Sequence, residues 1–268
     1  MRTRLAVVAG LVAVVAALAG CSSGSAPPTA TTPTGTTSTA ATGPTTATTP
    51  ATTAATTSAS TSATTVPAAG LVPLWPFTTS AQVSAWQAAY RASGREPWHL
   101  DPGRTALDFT RLHLGYAEVD RVSSLAVQGG DAHVGVGWSD PESAKHTVAV
   151  LHLIRSGSGA DAPWVVVGSD DTDLTLTVPR YGSTVSSPLA VGGVITGVDE
   201  SLRVVVLGPT SATPLGVMAG LPAGGTRTPW AATVRFAARS GSVLTVAVST
   251  GGHLRSVERF AVTAVRVR

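Results

Sequence analysis

The chain has 268 residues, 43% apolar, 12% charged and 5% aromatic, with a single cysteine, which excludes a disulfide framework, an iron–sulfur cluster and a cysteine-rich zinc site. No charged residue occurs from Ser22 to Tyr90, so all 15 acids and 16 of the 18 bases lie beyond position 90, and the chain is not one uniform globule. The formal charge of +3 falls to +1 when Arg2 and Arg4 are set aside with the N-terminal segment, so no basic excess argues for a nucleic-acid partner.

Met1 to Arg4 is cationic, and Leu5 to Ala19 follows as fifteen residues of Leu, Val, Ala and Gly only. That run is shorter than the roughly 20 apolar residues of a membrane span and fits the hydrophobic region of a signal peptide, here residues 1–20. It ends in Leu18-Ala19-Gly20-Cys21, which resembles the lipobox of bacterial lipoprotein precursors. The resemblance implies cleavage before Cys21, a thioether-linked diacylglycerol and further acylation such as palmitate there, and retention on the outer face of the cytoplasmic membrane. An ordinary secretory signal with an incidental cysteine is the alternative. The bias of 17 Arg to one Lys, with abundant Ala and Gly, points to a GC-rich genome such as an actinobacterial one.

Residues 21–70 read as a tether. Ser22 to Gly70 holds 19 Thr and six Pro in 49 residues, with little apolar area to offset the entropy of ordering, so disorder is expected. Its reach runs from about 40 Å as a flexible coil to about 150 Å in the polyproline limit. Thr/Pro-rich stalks of this kind are also substrates for O-glycosylation; a bare spacer would serve the same mechanical end.

Residues 71–173 carry the first folded region, an α+β domain. Thr79-Ser80-Ala81-Gln82 is a capping box, and Val83, Trp86 and Tyr90 then follow at helical spacing to about Ala92. Asp101-Pro102 opens a second helix running to about Tyr116, with Leu107, Phe109, Leu112, Leu114 and Tyr116 as its apolar positions. Strands are expected at 122–128, 133–138, 147–154 and 164–168, separated by turn formers, which gives an antiparallel meander with both helices on one sheet face. The order of elements is similar to that of cystatin-like or nuclear-transport-factor-like cones.

Residues 174–268 read as all-β. Strands are expected at 174–178, 191–196, 202–207, 233–237, 244–249 and 260–267, a sandwich-like spacing. Pro179-Arg180-Tyr181-Gly182-Ser183-Thr184-Val185-Ser186-Ser187-Pro188-Leu189-Ala190-Val191-Gly192-Gly193 resembles the opening of the immunoglobulin-like domain of bacterial sporulation and spore-germination proteins. Residues 202–206, 229–236 and 244–252 resemble its later strands, while Gly197-Val198-Asp199-Glu200 departs from an aromatic–acidic pair more usual there. The resemblance implies an accessory β-sandwich module on envelope proteins and brings no catalytic residues. Independently of it, Pro188 suits the start or edge of a strand, and Gly192-Gly193 permits a bulge or a close approach between backbones.

Chemistry-bearing patterns are sparse. There is no Gly-x-Ser-x-Gly elbow, phosphate loop or dinucleotide fingerprint, so no catalytic and no cofactor-binding residues are assigned. Six histidines form no His-x-x-x-His pair, and His146 and His152 are too far apart on one strand to share an ion, so no metal ligands are assigned. Asp170-Asp171-Thr172-Asp173 lacks the glycine and distal Glu of a calcium loop and reads as a hinge. Five of six tryptophans fall in the first region, and Trp75, Trp98 and Trp164 neighbour prolines; they either fill a core poor in other aromatics or line a groove for glycan or extended peptide. Net charge is −5 over 71–173 and +6 over 174–268, which sets arginines against an anionic wall polymer or lipid, against the first region, or on a solvated face.

These readings make the chain a non-catalytic, lipid-anchored envelope protein without cofactor. Its partners are the membrane, through Cys21, and an envelope protein or wall polymer. Candidate contacts are Trp86, Trp98, Tyr116, Arg203 and Arg235. The alternative is a ligand-binding protein with an apolar pocket within residues 71–173.

Overall fold

Thr79 starts the first helix, α1 (Ser80–Ser93), because its hydroxyl accepts the Gln82 N–H at 3.3 Å while the Gln82 side-chain oxygen accepts the Thr79 N–H at 3.1 Å. Gly94, at φ 66°, ends it in the left-handed conformation that glycine adopts without penalty. The computed structural model describes residues 70–139, 146–252 and 255–268, with backbone only at 198–200. The signal segment, Cys21, the tether and His253 lie outside the described residues.

Asp101 caps the second helix, α2 (Pro102–Asp108), accepting the Arg104 N–H at 3.1 Å. The expected continuation to Tyr116 is a wide π-turn over Phe109–His113, closed by Leu114 N–H to the Phe109 carbonyl at 3.0 Å. The wider turn rotates the apolar face: Phe109, His113 and Leu114 are buried, whereas Leu112 is 64% exposed. Of the two helices, α2 is the one with extensive contacts to the first sheet among the described residues. The α1 helix meets the turn around Ser158–Asp161, where the Gln87 amide donates to the carbonyls of Ser158 and Asp161 and the Arg91 guanidinium pairs with Asp161.

The four expected strands of the first region form a meander in the order β1-β2-β3-β4, with β1 Arg121–Gln128, β2 Asp131–Trp138, β3 His146–Arg155 and β4 Trp164–Ser169. A second sheet has the order β5-β9-β8-β6-β7: β5 Thr184–Val185, β6 Leu189–Leu207, β7 Pro214–Val234, β8 Val243–Gly251 and β9 Arg259–Val267. All pairings are antiparallel except that of the two-residue β5 with β9. The whole is a mostly-β, sandwich-like fold with two α-helices.

Two expected strands, 191–196 and 202–207, are one 19-residue strand whose register slips on both sides of Gly197. Its partner β7 was expected only at 233–237, since Gly216, Gly220, Pro222, Gly224, Gly225 and Pro229 all lower strand propensity. As an edge strand, β7 tolerates prolines that donate nothing to a ladder. Residues 174–178 run beside β6, with Thr175 N–H to Val194 O and Thr177 N–H to Gly192 O, both at 2.9 Å. A Cβ at Gly193 would sit 2.0 Å from the Thr175 carbonyl oxygen, so glycine there permits the close backbone approach.

The Val204–Leu207 end of β6 and most of β8 and β9 are buried on both faces, which explains unbroken apolar runs such as Val204-Val205-Val206-Leu207. Val204, Val206, Val246, Val248 and Ala261 face one cluster inside the second sheet's own fold-over, with Val191, Ile195 and Trp230. Val205, Leu207, Ala247, Phe260 and Val262 face the other way and complete a cluster with Ala106 and Phe109 and with Val134, Leu151, Trp164 and Val166 of the first sheet. The boundary at 173/174 separates the helix-bearing from the all-β sequence, yet apolar packing runs continuously across it. Among the described residues, one ion pair joins the two regions, Asp173–Arg259 at 3.7 Å, so burial and not opposite net charge holds them together.

The start of the folded part is tied to both sheets. The Tyr181 hydroxyl accepts the Val72 N–H at 2.7 Å and donates to the Val72 carbonyl at 3.2 Å, and Leu74 N–H bonds to Val166 O at 2.8 Å.

Candidate functional site

The tryptophans resolve mostly into core. Trp86, Trp138, Trp164 and Trp230 are buried. Trp86 stacks on Tyr90 with centroids 5.2 Å apart and meets His99 edge-on at 5.1 Å. Trp98 is half-buried and stacks on Trp75 at 5.6 Å. These contacts spread over α1, the Pro97–Leu100 turn and the segment before α1, forming a mixed aromatic and imidazole cluster that also includes Phe77, Phe109 and His113. Burial holds both His99 and His113 down at about 4, against the usual imidazole value near 6.5; for His99 this outweighs the attraction of Glu96. Both rings are therefore neutral above pH 5.

Strand register brings together a pair that the spacing of histidines along one strand does not reveal. His133 on β2 lies opposite His152 on β3, with rings parallel within 6° and centroids 4.7 Å apart. His133 Nδ1 is 2.7 Å from Asp170 and His152 Nε2 is 3.1 Å from Asp131. Parallel planes send the in-plane lone pairs side by side instead of toward one point. Among the described residues no group of three His, Cys, Asp or Glu is placed to hold an ion.

Two of the sequence candidates do meet. Tyr116 and Arg203 line one cavity of about 280 Å³. Its floor is the end of the second sheet: Arg203 on β6 pairs with Ser249 on β8 and Ala219 on β7, and Ser201 pairs with Gly251. The parity that gives Leu207 and Val205 to the core continues to Arg203 and Ser201, so the face turns from apolar to polar and small. The roof is the Leu114–Tyr116 turn that leaves the π-turn, with Ser256 and Val257 at the side. The Tyr116 ring packs on Phe260 at 5.2 Å. Burial raises the Tyr116 phenol above its ordinary value, opposed by its hydrogen bond with Ser249 and by the charge of Arg203. The cavity thus lies at the junction of the two regions and not within 71–173.

Arg235 is exposed just past β7, where its carbonyl oxygen crowds Gly216, and it does not share the cavity. No helix among the described residues is long and apolar enough to cross a membrane. Comparison with protein-family models, with curated proteins and with solved structures gave no match.

Proposed function

We propose that the chain is a non-catalytic lipoprotein of the bacterial envelope, anchored through Cys21 to the outer face of the cytoplasmic membrane. Its Thr/Pro-rich tether holds the sandwich outward, as a module that binds an envelope protein or wall polymer. The observation that carries this reading is the placement of the chain's one cysteine directly after Leu18-Ala19-Gly20. The 49-residue tether without a charge supports it. The immunoglobulin-like assignment of residues 174–268 is supported by the Val185-Ser186-Ser187-Pro188-Leu189 run and by a cluster enclosed where the long β6–β7 hairpin folds over β8 and β9. Burial of four of the six tryptophans favours recognition by a strand-lined surface over an aromatic groove.

Cys21→Ala is expected to move the protein from the membrane fraction into a detergent-free soluble extract. Unchanged partitioning of the variant would contradict the anchor.

A second reading, a ligand-binding protein, is favoured by the cavity that Tyr116 and Arg203 share. Both readings are compatible with one anchored molecule.

A further inference from the structure

We infer that the cavity between the Leu114–Tyr116 turn and the end of the second sheet binds a small hydroxylated monocarboxylate, with Arg203 as the carboxylate anchor. The inference rests on the ligand-binding reading above and adds the chemistry of the ligand. Arg203 is the one charged residue among those lining the cavity, and among the described residues it makes no ion pair. A guanidinium presents a fork that matches the two oxygens of a carboxylate. The Glu118 carboxylate accepts the N–H of Ser256, a residue of the cavity wall, with oxygens at 3.1 and 3.4 Å.

One cation selects a single negative charge. A phosphate monoester would bring close to two, and the Ser256 N–H that would help hold the second is taken by Glu118. Beside Arg203, the wall offers hydroxyls: Tyr116, bonded to Ser249, and Ser201. These suit the hydroxyl groups of a polar ligand and offer little to an apolar tail. Gly251 and Ala219 keep the floor low, and the volume of about 280 Å³ corresponds to roughly nine waters, the size of a hydroxy acid or a single sugar acid. Another cleft, of about 370 Å³, makes the contrast: there Arg180 is accompanied by Asp171, an opposite charge in the same lining.

The test is calorimetric titration of the full chain, solubilised in a polyoxyethylene detergent, with D-glucuronate, D-glucose and inorganic phosphate. Glucuronate and glucose differ at one carboxylate. Expected are saturable binding of glucuronate, weaker binding of phosphate, and a loss of roughly ten- to a hundredfold for glucuronate in Arg203→Ala. Arg203→Lys should lose less, and both variants should keep the tryptophan emission spectrum of the parent, since Arg203 is exposed. Equal glucuronate affinity in Arg203→Ala would overturn the inference, as would phosphate binding more tightly than glucuronate. Saturable glucose binding that is abolished in Tyr116→Phe, without a preference for glucuronate, would overturn the carboxylate anchor while leaving a ligand site. Absence of binding by all three probes would overturn both.

Discussion

Phe260→Ala is expected to lower the free energy of unfolding by about 3–5 kcal/mol, the range for emptying a large aromatic site in a close-packed core. Phe260 is 1% exposed and belongs to β9, late in the chain, but its cluster contains Phe109 of the π-turn and Val134, Leu151 and Trp164 of the first sheet. Five of the six tryptophans precede residue 174, so tryptophan emission reports chiefly on the first region. If packing is continuous across 173/174, the substitution in β9 shifts the emission-detected denaturant midpoint together with the loss of β-sheet circular dichroism. An emission midpoint that stays at the parent value while the circular dichroism transition moves would show that the two regions unfold separately.

Acid should weaken the fold through His99 and His113. Both are buried, and their imidazoles are held at about 4, below the value of about 6.5 they regain on unfolding. Between those values the unfolded chain binds more protons than the native one, so stability rises with pH across that window and levels off above it. Each histidine contributes a loss of about 3 kcal/mol as pH falls from 7 to 4, on the scale of 1.36 kcal/mol per pKa unit. The check compares urea unfolding at pH 7, 5.5 and 4 for the parent and for His113→Gln. The variant's stability should fall by about 3 kcal/mol less over that interval. Parallel pH dependences in the two proteins would mean that His113 titrates normally in the native state.

Much of the architecture was legible where local signals agree. The Thr79/Gln82 capping box and the Asp101-Pro102 start are chemical, and each occurs where the sequence sets it. The meander was legible because apolar residues alternate between turn formers. The β7 strand was not, since its Gly- and Pro-rich sequence becomes a strand only by pairing with β6 along an edge. Leu112 escaped because a helical period cannot announce a π-turn, which shifts the buried face by one residue. Continuous apolar runs in β6, β8 and β9 marked strands, but that both faces are covered depends on which sheets stack. The same holds for the site. Tyr116 and Arg203 were separate candidates in sequence, 87 positions apart; their meeting needs the register that places Arg203 beside Ser249. His133 and His152 also belong together only through register.

Whether this protein is a membrane-anchored display is decided at its mature N-terminus. Mass spectrometry of the N-terminal peptide, released from protein purified out of native membranes, reads it directly. The account predicts a chain that begins at residue 21 and carries a diacylglycerol thioether with added acyl mass. A peptide that retains residues 1–20, or one that carries a free thiol at Cys21, would contradict it.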